Sequence, residues 1–285
     1  LIVLSVRNNR KVRKANKVIS DQKKEVELQK DIVDEKNQEI LDSITYAKRI
    51  QTAILPPPKL VKEYLQESFI LYIPKDIVAG DFYWITQINN KVFFAVADCT
   101  GHGVPGAMVS VICNNGLNRS VREHQLTHPA DILDKTREIV IQEFEKSEED
   151  VKDGMDIALC SLKGSTLKYA GAHNPLWIIR NGSQEIEEYK PDKQPIAAYE
   201  ELRPFTGHSV QMNVGDVVYI FSDGYQDQFG GENKSKFMTA NFKKLLVEIH
   251  KLPMNEQIEV LDERHLNWRN GISQIDDILI IGIEI

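Results

Sequence analysis

Apolar residues recur at every seventh position along the largely polar N-terminal part of the chain. Residues 7–55 contain neither glycine nor proline, and this spacing keeps the apolar side chains on one face of a helix. The pattern therefore predicts a single long helix with one heptad seam. That seam is formed by Val12, Ile19, Val26, Val33, Ile40, Ala47 and Ile54.

The companion seam of this helix, three residues further along each heptad, is mostly polar. Gln22, Gln29 and Lys36 stand where a stable coiled coil would carry apolar residues. A coiled coil with one polar seam is marginally stable but specific in its register. We expect a parallel homodimer that passes on a signal by shifting, and the alternative is a solitary helix that lies on the following domain.

Three consecutive prolines, Pro56 to Pro58, end this helix. Proline cannot continue a helix, and it also restricts the residue before it. We therefore expect a juxtamembrane or signalling helix over residues 1–55 and one globular domain over residues 56–285.

Beyond the prolines, short apolar runs bounded by turn residues predict strands, and longer amphipathic segments predict helices. We expect the first two strands, 70–73 and 92–97, to form a hairpin-like pair near Asn89-Asn90, and the acidic stretch 145–153 to be a solvated loop. The order of elements predicts an α+β fold with two packed sheets and helices on their outer faces. The remaining strands are expected near 155–162, 166–171, 175–180, 184–189, 208–213, 217–222 and 277–285, and the helices near 105–123, 127–144, 235–250 and 254–268.

Composition and charge narrow the class of protein. A hydrophobic content of 42% and an aromatic content of 8% are typical of a globular core. The net charge of −7 argues against nucleic acid as a partner, because phosphate contacts need a basic surface. Three cysteines without metal-ligand spacing fit the reducing conditions of the cytoplasm.

The first six residues are apolar, and a run of Lys and Arg follows them. Such a segment is too short to span a bilayer, which takes about 20 residues, but the pattern is similar to the inner end of a membrane span followed by positive charges. Two alternatives stay open. One is the cytoplasmic part of a protein anchored in the inner membrane upstream of residue 1, and the other is a truncated soluble helix.

Aspartates stand at the edges of four apolar runs that lie far apart in the sequence. Asp81, Asp98 and Asp223 each follow such a run, and Asp276 and Asp277 precede the last one. Because the ends of buried strands lie at fixed places, these carboxylates can converge. Converging carboxylates repel each other unless a cation neutralises them, and hard oxygen ligands suit Mg²⁺ or Mn²⁺. The pattern predicts a metal-dependent hydrolytic site.

Five short blocks, which include these aspartates, follow one another in a characteristic order. They are Gly80-Asp81-Phe82-Tyr83, Val96-Ala97-Asp98-Cys99-Thr100-Gly101-His102-Gly103, Tyr169-Ala170-Gly171-Ala172-His173-Asn174-Pro175, Phe221-Ser222-Asp223-Gly224 and Asp276-Asp277-Ile278. In these blocks the chain resembles the SpoIIE/RsbU-like serine phosphatases, the bacterial branch of the metal-dependent (PPM) phosphatases related to protein phosphatase 2C. The resemblance covers about residues 50–285 and implies an α-β-β-α four-layer sandwich.

The resemblance also implies a site with two metal ions and a role for each aspartate. Asp98, which ends a fully apolar run before a glycine-rich turn, would bridge the metals, and the backbone carbonyl of Cys99 would be a further ligand. Asp223 and Asp276 would complete the ligands of one metal, with Asp277 as the alternative to Asp276. Asp81 would hold a metal-bound water, directly or from just outside the ligand sphere.

The sequence leaves two roles open for His102. In protein phosphatase 2C a histidine two residues after the bridging aspartate is a proposed general acid, whereas His102 lies four residues after Asp98. We expect His102 either to act as the acid or to order the glycine turn at the start of a helix. His173, which precedes Asn174 and Pro175, is expected to shape a turn.

The expected function is that of a Mn²⁺- or Mg²⁺-dependent protein serine/threonine phosphatase, in which metal-activated water attacks the phosphoryl group. We expect no covalent phosphoenzyme, since Cys99 and Cys113 lack the Cys-x5-Arg loop of thiol phosphatases. The resemblance implies a phosphorylated regulatory protein as substrate, such as an anti-sigma-factor antagonist. The alternative is a catalytically weak dimeric signalling module, although such a module has no need to keep four repelling carboxylates.

Overall fold

The computed structural model describes residues 2–146, 152–199 and 201–285, with side chains from residue 8 onward. The chain divides into two compact units, residues 1–47 and residues 48–285. Most of the expected acidic loop at 145–153, and the side chains of the apolar residues before Arg7, lie outside the described residues. No helix in the described part of the chain is long and apolar enough to cross a membrane.

The expected N-terminal helix is present as α1, Ile2–Ile54. Its heptad positions are open to solvent along the first unit, with exposed fractions of 49% at Val12, 60% at Ile19 and 64% at Val26. The helix ends just before Pro56, as the three prolines predict. A short helix that the sequence analysis did not predict, α2 (Pro58–Tyr64), follows at once, because proline is well tolerated in the first turn of a helix.

The second unit contains two five-stranded antiparallel sheets. One sheet has the strand order β1-β12-β9-β6-β7, and the other has the order β2-β3-β4-β5-β8. A two-stranded ribbon, β10-β11, completes the strands of the described chain. The strands are β1 (Ser68–Ile73), β2 (Phe82–Ile88), β3 (Lys91–Cys99), β4 (Met155–Lys163), β5 (Thr166–Ala172), β6 (Leu176–Ile179), β7 (Ile186–Tyr189), β8 (His208–Gln211), β9 (Val217–Phe221), β10 (Phe229–Gly230), β11 (Ser235–Lys236) and β12 (Ile278–Glu284).

Helices cover both outer faces of the paired sheets. A core between the sheets joins residues such as Phe94 and Ile281, while separate cores lie between each sheet and its helices. This arrangement is the expected α+β, α-β-β-α four-layer sandwich, and the fold prediction is confirmed. The helices are α3 (Gly103–Arg122) and α4 (Pro129–Phe144) on one side, with the short α5 (Gly224–Asp227) and then α6 (Thr239–Ile249) and α7 (Met254–Arg269) on the other.

The expected hairpin between strands 70–73 and 92–97 is wrong. The hairpin partner of β3 is β2, a strand that the sequence analysis did not predict, across a turn in which Asn89 and Asn90 have positive φ of 52° and 59°, as a tight hairpin turn requires. β1 pairs instead with β12 at the other end of the chain. An apolar run fixes that a strand forms but not which distant strand it joins, because that choice depends on packing between remote segments.

The two sheets bring the ends of several strands to one edge of the sandwich. β3 ends at Cys99, β9 ends at Phe221, and β2 and β12 begin at Phe82 and Ile278. The antiparallel registers align these points, since Phe82 lies opposite Ala97 and Phe221 lies opposite Ile280. The strand ends and loops at this edge carry all the aspartates that the sequence analysis selected.

Candidate metal centre and active site

A cavity of about 500 Å³ opens where these loops meet. Asp98, Asp223 and Asp276 line it together, although they come from three different parts of the chain. The turn after β3 forms another part of the wall, with Cys99, Thr100, Gly101 and His102. The carboxylates that the sequence analysis expected to converge therefore do so, apart from Asp81, which is buried next to the cavity.

The turn after β3 brings backbone close to the cavity. Gly101 has a φ of +81°, a conformation that glycine adopts without strain. A Cβ atom on Gly80 would lie 2.3 Å from the Gly101 carbonyl oxygen, and one on Gly106 would lie 2.2 Å from the same atom. The loop before β2, the turn after β3 and the first turn of α3 are therefore packed backbone against backbone, and only glycine fits at these contacts.

Asp81 is the most deeply buried of these carboxylates, with 2% of its surface exposed. Burial raises its pKa well above the usual range, and the nearby charge of Asp98 raises the pKa further, against a hydrogen bond with Ser222 that lowers it. Its Oδ2 atom has no hydrogen-bond partner. A buried acceptor without a partner costs about 1–3 kcal/mol, and a bound cation would remove this cost.

Asp98 and Asp223 are also held in surroundings that disfavour their charge. Burial raises the pKa of Asp98 well above its usual range, and the charges of Asp223 and Asp276 raise it further. Burial likewise raises the pKa of Asp223 to about 6, with added repulsion from Asp227 and Asp276. Asp223 keeps an open side towards the solvent, where water screens part of this repulsion. A cation between the carboxylates would relieve it.

Asp276 and Asp277, which the sequence left as alternatives, have different surroundings. Asp276 lines the cavity. Asp277 is 2% exposed, and its two oxygens accept hydrogen bonds from the backbone N–H groups of Lys75 and Gly80, each at 2.7 Å. Both oxygens of Asp277 are therefore engaged in holding the loop before β2, which supports Asp276 as the ligand.

The donor set fits a hard divalent cation in its chemistry. All the side chains concerned offer carboxylate oxygens, one of those oxygens is buried without a partner, and the carboxylates repel one another as they stand. Within residues 2–146, 152–199 and 201–285, no three His, Cys, Asp or Glu side chains are arranged so that they could together hold a metal ion. The residues suit Mn²⁺ or Mg²⁺, but their present positions do not form a completed ligand cluster.

His102 lies at the rim of the cavity, directly before α3. Its Nδ1 atom lies 2.9 Å from Oδ2 of Asp76, and both side chains are about half exposed. This pair links the turn after β3 to the loop before β2. The contact supports the ordering role for His102, while its place at the cavity also keeps the acid role open.

The sequence analysis missed Asp156, which lies directly opposite Asp98 in the β3–β4 register and lines the same cavity. Burial raises its pKa, against a hydrogen bond from His173, whose Nδ1 lies 2.8 Å from Oδ1 of Asp156. His173 therefore contacts a residue of the cavity wall in addition to its place in a turn with a φ of +55°. A lone acidic residue at the start of an apolar run was the available signal for Asp156.

Three comparisons with known proteins identify the family of this chain and its fold. The family model described as "Stage II sporulation protein E (SpoIIE)" matches residues 89–285. The phosphoserine phosphatase RsbU of Bacillus subtilis (strain 168) is 22% identical over 188 residues, which cover 66% of this chain and 54% of RsbU. The chain therefore spans about half the length of this curated relative.

Solved structures share the fold. The SiaA-PP2C domain of Pseudomonas aeruginosa is 29% identical with a TM-score of 0.79, over 87% of this chain and 98% of that one. The PP2C phosphatase domain of SpoIIE from Bacillus subtilis, with a fragment of its regulatory domain, is 18% identical with a TM-score of 0.61, over 76% and 63% of the two chains. Because the family model matches more than half of the chain, this protein is a member of the SpoIIE family, and it has a PP2C-type phosphatase fold.

Proposed function

We propose that the protein is a Mn²⁺- or Mg²⁺-dependent protein serine/threonine phosphatase with two metal ions. The observation that carries the proposal is the convergence of Asp98, Asp223 and Asp276 on one cavity, with the unpaired oxygen of Asp81 buried beside it. Membership of the SpoIIE family and similarity to a phosphoserine phosphatase support the same reaction. The structure of RsbX in complex with magnesium, 13% identical with a TM-score of 0.54, shares the fold.

Each residue has a role in this proposal. Asp98, the carbonyl of Cys99, Asp223 and Asp276 hold the cations, and Asp81 positions the attacking water. When bound, the cations polarise a phosphoryl oxygen and lower the pKa of water. His102 either donates a proton to the leaving serine or threonine oxygen or holds the turn that carries Asp98.

The proposed substrate is a phosphorylated regulatory protein, such as an anti-sigma-factor antagonist. Its support is the similarity to RsbU and to the RsbU and RsbW domains of Rv1364c from Mycobacterium tuberculosis, which are 20% identical with a TM-score of 0.60. We further propose that the protein works in the cytoplasm, for which its three free and buried cysteines are suited.

The proposed control element is the N-terminal helix, residues 1–55, acting on a phosphatase domain of residues 56–285. The exposed heptad seam, including Val33 at 54% and Ile40 at 56% exposure, supports pairing with the same helix of a second copy. Large apolar side chains repeated on one helical face lose contact with water when such a pair forms. The second compact unit already begins at Lys48, so the last turns of α1 belong structurally with the proposed phosphatase domain.

The experiment that tests the proposal is hydrolysis of p-nitrophenyl phosphate and of a phosphoserine peptide with Mn²⁺, Mg²⁺ or EDTA. We expect hydrolysis with either metal and none with EDTA. Asp131, an exposed residue outside the cavity, provides the matched control Asp131→Asn, which should keep full activity. Full activity in EDTA would exclude the metal-dependent reaction, and no activity with any metal would favour the catalytically weak dimeric signalling module.

A further inference from the structure

Gln51 is a buried polar residue in the last turns of α1, with only 5% of its surface exposed. Its neighbour Thr52 is exposed and bonds to the carbonyl of Lys48 in its own helix. Gln51 instead directs its amide to segments far away in the sequence. A buried amide needs partners for its oxygen and both its hydrogens. The partners of Gln51 lie in the loop before β2 and on α3.

Every polar group of the Gln51 amide is engaged. Its Oε1 accepts a hydrogen bond from the backbone N–H of Ala79 at 3.1 Å. Its Nε2 donates to the backbone carbonyl of Ala79 at 2.5 Å and to Oγ of Ser110 on α3 at 3.0 Å. The reverse orientation of the amide would set N–H against N–H and oxygen against oxygen, so the orientation is fixed.

Ala79 immediately precedes Gly80 and Asp81, and this loop is held from other sides as well. Asp277 accepts from the N–H groups of Lys75 and Gly80. The hydroxyl of Tyr72 donates to the carbonyl of Asp81 at 3.1 Å. Gly80 packs against the Gly101 carbonyl with no room for a side chain. Of these restraints, the one from Gln51 comes from the N-terminal helix.

We propose that Gln51 is a positioning residue that fixes Asp81 through the backbone of Ala79, and thereby sets the affinity of the site for Mn²⁺ or Mg²⁺. This inference rests on the proposed function and adds to it a residue that touches neither metal nor substrate. Gln51 thereby determines the position of Oδ2 of Asp81, which has no hydrogen-bond partner. Since Ser110 lies on the helix that begins after the Gly101 turn, the same amide ties α1, the Asp81 loop and α3 together.

The length of the side chain is what this role requires. Gln51→Met keeps the approximate volume and removes all three hydrogen bonds, while Gln51→Asn keeps an amide that is one methylene too short to reach Ala79 and Ser110 together. Mutation of a residue that positions a metal ligand typically lowers the metal affinity by about 10–100-fold. We therefore expect both variants to raise the Kd for Mn²⁺ about tenfold or more, and Thr52→Ala to leave it unchanged.

The experiment is a calorimetric titration of the full chain with Mn²⁺, combined with hydrogen exchange of the metal-free protein. In Gln51→Met the N–H of Gly80, which bonds to Asp277 and not to Gln51, should exchange about tenfold faster or more, because a free Ala79 loosens the whole loop. A variant that merely lost a surface contact would leave Gly80 unchanged. If Gln51→Met does not fold, Gln51→Asn decides the matter by the same two measurements.

The outcomes separate this inference from the proposed function. If the parent protein binds Mn²⁺ and hydrolyses the phosphopeptide, while the Gln51 variants bind Mn²⁺ equally well, the positioning role is refuted and the phosphatase stands. If the parent protein binds no Mn²⁺, the proposed function fails and the inference fails with it. Raised Kd and faster Gly80 exchange together, with Thr52→Ala at parental values, would establish the role of Gln51.

Discussion

Replacing Asp98 with asparagine should maintain or raise the stability of the metal-free protein while weakening its response to metal. Replacing a residue that only shapes a turn would not have this combined effect. Burial raises the pKa of Asp98, and the charges of Asp223, Asp276 and Asp156 raise it further. Asn keeps the volume and removes the charge. We expect metal-free Asp98→Asn at pH 7 to be at least as stable as the parent protein, because one source of repulsion is gone.

The response to metal should change in the opposite direction. A ligand at 100 times its Kd stabilises the folded state by about 2.7 kcal/mol. In a domain of roughly 150–250 residues each kcal/mol moves the Tm by about 2–4 °C, so one Mn²⁺ should raise the Tm of the parent by about 5–11 °C. Asp98→Asn should show little of this rise and lose at least about 10²-fold in rate, since the metal supplies several kcal/mol to the transition state.

The assay is thermal unfolding with EDTA and with Mn²⁺, measured from pH 4 to pH 8, with Asp131→Asn as the control. A carboxyl group with a raised pKa in the fold favours folding most below its unfolded pKa of about 4, and this contribution is lost as pH rises through the folded pKa, about 6 for Asp223. Metal-free parent protein should therefore lose stability over this range, and Asp98→Asn should lose less. If Asp98→Asn keeps the parental rise in Tm with Mn²⁺, the bridging role is refuted.

Three further predictions concern the remaining site residues and the helix. Asp223→Asn and Asp276→Asn should each reduce hydrolysis at least about 10²-fold with the fold intact by circular dichroism, whereas Asp277→Asn should be milder; an essential Asp277 with a dispensable Asp276 would exchange their roles. If His102 only orders the turn, His102→Gln should change phosphopeptide hydrolysis by less than about tenfold and leave the pH profile unaltered, whereas loss of about 10²–10⁴-fold and of one limb of the profile would assign it as the acid. Replacing the polar residues of the companion seam, Gln22, Gln29 and Lys36, with leucine should produce a tighter parallel dimer in sedimentation and change the activity several-fold in one direction. If parent and variant are both monomeric and equally active, the helix is a passive tether.

The sequence by itself predicted most of the larger elements and their order, although it missed β2 and the short elements α2, α5, β10 and β11. Seven-residue spacing predicted α1, and short apolar runs predicted most strands close to their observed bounds. It also placed Asp98 and Asp223 at strand ends, because the run of apolar residues before each is long enough to define a buried strand. These features are local, and local spacing is sufficient to predict them.

Only the tertiary structure decided which distant residues meet. β1 joins β12 rather than β3, and Asp156 comes opposite Asp98 through the register of β3 and β4. Asp276 and Asp277 are neighbours in a bend before β12, and only their packing decides that Asp276 lines the cavity while Asp277 holds the loop before β2. The contact of Gln51 with Ala79 leaves no trace in the heptad pattern, because it depends on where the last turns of α1 pack against a loop and a helix that the chain forms later.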